Sequence, residues 1–394
     1  MSGLDDLIPA LHALREDVDR HVTRERVRRY LSALIDTPAP STFAAAMRVP
    51  VLHRLLAEDG ALDDGSLHLH GDYAHTGSPV ILTGSAEPTK PLWYFAHLDT
   101  ISYLVQPGDG ATYPLVPFCA HMIADGVRAA RAYRYDLGLN AFRPVAEGLL
   151  VSRSGTPTFQ PERSAPPLGP GDRVAMVSPY RENPASGLFT GPMDNGGGVA
   201  ALAVAAPVLA QAGIEALLAF PDEEEGPVAP GNQMMGRGGS RLIGLLPAPE
   251  LAIVADVQQG GGDPDADTRG GLVNSSRLGE GAVLAEFASL GRGAVTPPDL
   301  YVLARHMAEL LGDVGVRIQE SNNAYSSRSD DVSVMLKTPN ILLLGFPGLN
   351  RHYDRGEPRA HLDDVVHLAK ALVYVAALRP VFTARRRSLL AGEP

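Results

Sequence analysis

The sequence predicts a layered α/β/α domain with a mixed sheet, together with a small inserted domain that is β-rich and barrel-like. Outside residues 103–188, apolar runs of strand length alternate with segments of helical period, as in layered α/β domains. Residues 103–188 instead combine short apolar stretches with many Gly and Pro residues, which favours strands and turns. The chain has 394 residues, 45% of them hydrophobic, which is enough for about two domains. We therefore assign residues 1–102 and 189–394 to one discontinuous domain and 103–188 to the insert.

The individual elements follow from hydrophobic periodicity and from Pro positions. Charged and apolar residues at helical spacing predict helices over residues 4–35, which Pro38 and Pro40 terminate. Short apolar runs predict strands at 66–71, 79–83 and 91–96 before the insert, and at 250–255 and 341–345 after it. Helical periods return at 197–212, 237–244, 298–311 and 362–378.

Composition narrows the classes of function. The net charge of −11 and the pI near 5.5 argue against nucleic acid as the main partner. A lone cysteine, Cys119, fits a reducing compartment, and no basic segment followed by an apolar one marks a signal peptide near the N-terminus. No uninterrupted apolar run approaches the ~20 residues that a membrane span needs. We expect a cytoplasmic protein with no nucleic-acid or membrane partner.

Potential metal ligands follow four of the apolar runs, and another lies in a glycine-rich loop. They are His97 with Asp99 after 92–96, the pair Glu223 and Glu224 after 214–220, Asp256 after 251–255, His352 a few positions after 341–345, and Asp194 within the loop 191–198. In open α/β sheets, ligands collect outside the carboxyl ends of the strands. We therefore expect these side chains to meet and to hold two divalent cations side by side.

The residue types suit metal-assisted hydrolysis. A carboxylate in a glycine-rich turn, such as Asp194, can bridge two cations with one oxygen each. A metal-binding imidazole usually donates its second N–H to a carboxylate or carbonyl, a role available to Asp99 beside His97. Of two adjacent glutamates, one can bind a metal while the other accepts a proton from water. Two cations ~3.5–4 Å apart polarise a scissile carbonyl and activate water for attack.

Other interpretations are weaker. The acidic run 222–225 resembles a solvated turn, but four adjacent acids directly after a buried strand repel one another unless a cation is present. The chain has no G-x-S-x-G nucleophile elbow, no G-x-x-x-x-G-K-[ST] phosphate loop and no G-x-G-x-x-G motif after a strand. His361 is the only rival that the sequence offers to His352 as a ligand.

The order His-x-Asp, Asp, Glu-Glu, Asp, His resembles that of the co-catalytic dinuclear metallopeptidases. The gap from His97 to Asp194 is 97 positions (194 − 97) and contains the β-rich insert. A long first gap of this kind is similar to the glutamyl-aminopeptidase and tetrahedral (TET) aminopeptidase family. Weaker matches lie at 97–105, at 171–174 and at 347–363, and the resemblance covers residues from about 25 to 378.

The resemblance implies a role for each residue of the site. His97 and Asp256 would serve one metal, Glu224 and His352 the other, with Asp194 bridging, Glu223 as general base and Asp99 orienting His97. It also implies a cis peptide between Asp194 and Asn195, and two divalent ions per chain, expected to be zinc, with cobalt or manganese as alternatives. The insert would mediate self-assembly into a homo-oligomer or gate the entry of substrate.

On this basis we expect a metal-dependent hydrolase of amide bonds, an aminopeptidase acting on peptides. A deacylase or amidohydrolase acting on a small N-acyl substrate would use the same metal site. Arg328, Arg351 and the adjacent Asp330 and Asp331 offer a grip for either a substrate carboxylate or a free ammonium, so the sequence leaves this choice open. A non-catalytic scaffold that retains the fold is a third hypothesis, since fold alone does not establish activity.

Overall fold

The computed structural model describes residues 7–226, 236–261, 268–269, 272–322 and 328–392. Its helices are α1 Leu7–His21, α2 Arg24–Ile35, α3 Ala44–Glu58, α4 Met193–Gln211, α5 Arg237–Leu245, α6 Pro298–Asp313, α7 Asp331–Val334, α8 Leu362–Tyr374 and α9 Leu378–Ala391. Its strands are β1 Leu67–His70, β2 Val80–Thr83, β3 Leu92–Phe95, β4 Ser102–Val105, β5 Tyr113–Phe118, β6 Gly126–Asp136, β7 Ala141–Arg153, β8 Thr156–Pro161, β9 Arg173–Met176, β10 Arg181–Glu182, β11 Leu188–Thr190, β12 Ala216–Ala219, β13 Leu251–Gln259, β14 Thr268–Arg269, β15 Leu272–Val273, β16 Ala282–Ala285, β17 Ile318–Glu320, β18 Ile341–Leu349 and β19 Arg359–His361.

Eleven strands form a mixed sheet, which confirms the predicted fold class. Its main path runs β1-β2-β12-β3-β13-β18-β19-β11-β10, and β16 pairs with both β18 and β17. The central strands β12, β3, β13 and β18 are mutually parallel, whereas β2 and β19 pair antiparallel with this central group. The central strands are almost continuously apolar because helices cover both faces of the sheet, as expected for parallel strands.

The larger core cluster lies beneath α4 and α8, on one face of the sheet. Helix α4 is buried from Met193 to Ala210, and it packs against α8, α2 and β13. Its sequence is apolar on all sides, which is characteristic of a helix buried in the centre of a domain. A second cluster, on the other face, includes Trp93, Phe95 and Leu242. The helices therefore sandwich the sheet and fix the position of its strand ends.

The insert folds as a closed antiparallel barrel, as the sequence predicted. Its strands pair in the order β4-β5-β8-β7-β6-β9 and span 102–176. Tyr103, Leu150 and Phe159 contribute to a separate apolar core inside it. Because β4 starts at Ser102, three residues after Asp99, the barrel is attached directly beside one of the predicted ligand segments.

Two helical segments, Met193–Gln211 and Leu362–Ala391, are long and apolar enough to cross a membrane by length and composition alone. The most apolar stretch of the first is 100% buried inside the fold and that of the second 67%, and core helices of soluble proteins pass the same test.

Candidate metal centre

The predicted ligands meet at one edge of the sheet. Strands β3, β12, β13 and β18 are parallel neighbours, so their carboxyl ends lie side by side. All five predicted ligands are buried and gather at that edge: His97, Asp194, Glu224, Asp256 and His352. His361, the rival ligand, instead contacts the backbone oxygen of Ser186 at 2.7 Å through Nε2.

Asp194 lies between two imidazoles. Its Oδ1 is 3.1 Å from Nε2 of His97, and its Oδ2 is 3.2 Å from Nε2 of His352. Arg351 donates from Nη1 to the same Oδ2 at 3.1 Å. Each carboxylate oxygen of Asp194 therefore faces a different histidine, which is the arrangement needed to bridge two cations.

The glycine-rich start of α4 holds Asp194 in this position. The peptide bond between Asp194 and Asn195 is cis, as the resemblance implied. The Asn195 amide donates to the backbone oxygen of Ala255 at 2.8 Å and accepts from the backbone N–H of Gly198 at 3.0 Å. A side chain on Gly198 would overlap the Asn195 amide oxygen, so glycine is required there.

Two overlapping groups of side chains have the composition of metal sites. One consists of His97, Glu224 and Asp256, and the other of His97, Asp194 and Glu225, each with ligand atoms within 4.8 Å of one another. Glu225 Oε2 also lies 3.5 Å from Nε2 of His352. Glu225 Oε1 is buried without a hydrogen-bond partner among the described residues, and His352 Nε2 makes no hydrogen bond of good geometry there although Asp194 Oδ2 is 3.2 Å away. Unsatisfied buried polar atoms of this kind are expected where an ion binds, and a set of carboxylates with two imidazoles suits zinc.

Asp99 contacts both His97 and the backbone of the turn that carries Glu224 and Glu225. Nδ1 of His97 is 3.1 Å from the backbone oxygen of Asp99 and 3.5 Å from its Oδ1. The Asp99 carboxylate accepts the backbone N–H groups of Glu224 and Glu225 at 3.1 and 3.2 Å. It also accepts the Ser41 hydroxyl at 2.5 Å. The residue predicted to orient His97 therefore also fixes the backbone of both glutamates.

Glu223, the predicted general base, lies outside the two groups of potential ligands. Its Oε1 accepts a hydrogen bond from Arg241 at 2.5 Å, and its Oε2 lies 3.8 Å from Arg237. Its backbone is left-handed, with φ of 65°, whereas neither Glu224 nor Glu225 has a positive φ. The two glutamates at the site are Glu224 and Glu225. Sequence reasoning missed Glu225 because either adjacent pair in three consecutive glutamates satisfies a Glu-Glu pattern.

Burial and mutual repulsion dominate the electrostatics of the centre. Burial raises the pKa values of Glu224 and Glu225 well above the ordinary glutamate range, and nearby carboxylates add to the effect. Burial and the Asp194 charge likewise raise the pKa of Asp256. Burial also disfavours ionised Asp194, but contacts with His352 and His97 outweigh it and hold its pKa well below the usual range. A cluster of acids in such surroundings is stabilised by bound cations.

The candidate substrate-binding residues Asp330, Asp331 and Arg351 differ in their surroundings. Asp330 is fully buried, and burial raises its pKa to about 8. Asp331 accepts the backbone N–H groups of Ser329 and Ala294 at 2.6 Å each, so it supports the local backbone. Arg351 directly contacts Asp194, one of the predicted metal ligands, and could therefore bind a substrate beside the metal centre.

No family model and no curated protein matches this chain by sequence. Solved structures match its fold over nearly its whole length. An aminopeptidase from the archaeon Desulfurococcus kamchatkensis aligns with a TM-score of 0.69 at 14% identity, covering 92% of this chain and 98% of that one. The TET1 peptidase of Pyrococcus horikoshii aligns at 0.65 and 17% identity, covering 89% and 99%. A Thermotoga maritima protein named endoglucanase aligns at 0.58 and 15% identity, covering 90% and 98%. The chain therefore has the fold of the TET aminopeptidases.

Proposed function

We propose that this protein is a dinuclear-metal hydrolase of amide bonds, an aminopeptidase acting on peptides. The observation that carries the proposal is the position of Asp194, whose two carboxylate oxygens face Nε2 of His97 and Nε2 of His352 at 3.1 and 3.2 Å. A carboxylate that directs one oxygen towards each of two imidazoles can bind two cations, one at each oxygen. The fold shared with TET aminopeptidases supports the same conclusion.

The buried side chains divide into two ligand sets. His97 and Asp256 would hold one ion, Glu225 and His352 the other, and Asp194 would contribute one oxygen to each. Both sets combine an imidazole with carboxylates, a composition that suits zinc, with cobalt or manganese as alternatives. When bound, the two ions polarise the scissile carbonyl and lower the pKa of water.

Glu224 is the proposed general base in place of Glu223. Its Oε2 lies 3.7 Å from Nε2 of His97, so its carboxylate reaches the cluster, and Asp99 fixes its backbone N–H. In this role it takes a proton from the attacking water and passes it to the leaving amine. Glu225 then takes the ligand position first expected of Glu224. Relative to the roles that the resemblance implied, the general base and the metal ligand are therefore each placed one residue later in the chain.

The barrel supports a proposal of self-assembly. Leu137 and Leu139, at the tip of the β6–β7 hairpin, are 87% and 68% exposed. Apolar side chains so exposed favour association with another protein surface. The Pyrococcus horikoshii TET1 peptidase assembles into a tetrahedron or an octahedral shell. We propose that this chain also forms a homo-oligomer, and that it acts in the cytoplasm on peptides.

A substrate comparison tests the function. Purified protein would be analysed for bound metal and assayed with aminoacyl anilides, N-acetyl amino acids and a soluble β-glucan, before and after chelation. We expect about two ions per chain and chelator-sensitive hydrolysis of the anilides only. Hydrolysis of the N-acetyl amino acids would indicate a deacylase instead. Glucan hydrolysis would agree with the name of the Thermotoga maritima protein, and fewer than one ion with no turnover would indicate a scaffold.

A further inference from the structure

The two ions of the proposed centre differ in what fixes their ligands. Asp256, a proposed ligand of the first ion, lies within β13 and pairs in register with β18. The other, His97, follows the end of β3, and the next N–H, that of Leu98, still hydrogen-bonds at 2.7 Å to the segment after β12. Glu225 and His352, the proposed ligands of the second ion, lie in turns beyond the ends of β12 and β18. The sheet therefore fixes the first pair of ligands, and the contacts of the two turns fix the second pair.

The residue that follows His352 is anchored in the barrel. Tyr353 is buried and belongs to the apolar core of the barrel, together with Tyr103 and Leu150. Its backbone is left-handed, with φ of 60°, a conformation that bulky residues rarely adopt. Such a conformation persists only where the surrounding structure holds it. The contacts that hold the His352 turn therefore include the barrel core.

Arg128, on barrel strand β6, holds the same turn by hydrogen bonds. Its Nε and its Nη2 both donate to the backbone oxygen of Tyr353, at 3.2 and 2.9 Å. Its Nη1 donates to the backbone oxygen of the adjacent Val127 at 3.0 Å. Hydrogen bonds in which the donor is charged are stronger than those between neutral groups. The guanidinium therefore joins the barrel to the backbone one residue beyond His352.

The barrel also contacts the turn that carries Glu225. A side chain on Gly226 would begin 3.2 Å from Cε1 of Phe118, the last residue of β5, so the Phe118 ring lies directly against this backbone. Burial raises the pKa of the neighbouring Cys119 thiol, and the charge of Glu225 adds to the effect, so the Glu225 carboxylate lies close to this end of the barrel. Both proposed ligands of the second ion, Glu225 and His352, therefore adjoin the barrel although neither belongs to it.

We propose that Arg128 is a positioning residue for the second ion, acting on His352 through the Tyr353 carbonyl, and that the barrel thereby completes this half of the metal centre. The inference rests on the two-ion site of the proposed function. His97 and Asp256 are fixed by the sheet, so the first ion should bind without Arg128. Loss of a residue that orients a metal ligand typically lowers metal affinity about 10–100-fold. Loss of Arg128 should therefore lower affinity at one of the two positions only.

Stepwise zinc titration of the chelated full chain tests the proposal without reference to hydrolysis. The parent protein should bind two ions in two steps, each with its own Kd. Arg128→Met should weaken one step about 10–100-fold and leave the other unchanged. Arg128→Lys keeps one charged donor, so its weakened step should lie between those of Arg128→Met and the parent protein. Arg131→Met makes the same change three residues along β6, where the guanidinium pairs with Glu147, and should bind both ions as the parent does.

Anomalous diffraction at the zinc edge, from crystals loaded with limiting zinc, assigns the weakened step to a position. In Arg128→Met the peak beside His97 and Asp256 should keep its height, and the peak beside Glu225 and His352 should shrink. Two unchanged steps, equal weakening of both, or loss of the peak beside His97 instead would overturn the proposal. If Arg128→Met does not fold, Arg128→Lys decides by the same comparison of the two steps. Fewer than two ions in the parent protein would overturn the two-ion site itself, and that result appears before any substitution is made.

Discussion

Glu225 lies with its Oε2 3.5 Å from Nε2 of His352, whereas Glu223, two residues earlier, accepts a hydrogen bond from Arg241. The turn after β12 therefore directs the second and third glutamates of the run into the centre and the first one away from it. Asp99 sets this arrangement by accepting the N–H groups of Glu224 and Glu225. The surroundings of the three glutamates consequently differ although their side chains are identical.

Substitution of each glutamate in turn should separate these functions. Glu224→Gln removes the proposed base, so kcat should fall about 10²–10⁴-fold while metal content is retained. Glu225→Gln removes a proposed ligand, so bound metal should drop below two ions per chain. Glu223→Gln should preserve metal content and most of the turnover, because its carboxylate contacts Arg241 rather than the cluster. Metal analysis and steady-state kinetics on the same preparations provide the measurement.

Glu223→Gln serves as the matched control in this series, since it alters an adjacent residue by the same chemical change. The reverse pattern, with Glu223→Gln inactive and Glu225→Gln fully metallated and active, would restore the assignment first drawn from the resemblance. Loss of turnover in all three variants with a normal melting temperature would mean that the acidic run acts as a unit.

The sequence predicted the fold well because its signals there are redundant. The helix expected at 237–244 is observed as Arg237–Leu245, and that expected at 298–311 as Pro298–Asp313. The strand expected at 250–255 is observed as Leu251–Gln259, and the five apolar residues before Asp256 predicted it. The barrel was predictable as β-rich, but the pairing order of its strands depends on long-range contacts that no local pattern encodes.

Which glutamates of the run lie among the other potential ligands was not predictable, for a different reason. It depends on the positive φ of Glu223, a single backbone angle in a turn, and on which N–H groups Asp99 accepts. Neither property has a signature in the residue types.

Gly198→Ala should weaken metal binding without large unfolding. The added methyl group would overlap the Asn195 amide oxygen and the backbone oxygen of Ala255, which together hold the turn that carries Asp194. Overpacking of this kind typically costs about 1–3 kcal/mol, and a displaced bridging carboxylate would lower affinity for both ions. Zinc titration of chelated protein, with a parallel urea melt, measures both effects.

Gly244→Ala is the control for that experiment. It makes the same chemical change within α5, where no described atom beyond the neighbouring helix backbone lies within 4 Å of the added carbon. It should leave metal affinity unchanged and stabilise the protein by up to about 1 kcal/mol through helix propensity. Equal metal affinity in Gly198→Ala and Gly244→Ala would argue against a bridging role for Asp194.

Asp99→Asn should reduce metal affinity although Asp99 is not itself a proposed ligand. An amide can offer only one oxygen to the N–H groups of Glu224 and Glu225, which now share a carboxylate. Loss of a residue that orients ligands typically costs about 10–100-fold in metal affinity. Ser41→Ala removes only the hydroxyl that donates to Asp99 and should have a smaller effect. Unchanged affinity in Asp99→Asn would show that the turn holds its geometry without the carboxylate.

Asp364 should make stability depend on pH away from the metal centre. It is 0% exposed at the start of α8 and accepts the N–H groups of Gly279 and Gly281 at 2.7 Å each. Burial, the largest influence, raises its pKa to about 7. The folded state therefore binds this proton more tightly than the unfolded chain, in which an aspartate titrates near ~3.9. Its contribution to stability is complete below about pH 4 and is lost as pH rises to about 7.

Asp364→Asn removes this titration, so the free energy of unfolding of the variant should fall less between pH 4.5 and pH 8 than that of the parent protein. A pKa difference of about 3 corresponds to about 4 kcal/mol, which is the upper limit for the difference between parent and variant in the total fall of unfolding free energy. Urea denaturation at intermediate pH values measures it, with Asp313→Asn, at the exposed end of α6, as the control. Other buried acids titrate in the same pH range; burial raises the pKa of Asp331 to about 6, for example. Subtracting the pH profile of the variant from that of the parent protein isolates the contribution of Asp364. Parallel pH profiles for Asp364→Asn and the parent protein would mean that the two glycine N–H groups hold the carboxylate ionised throughout.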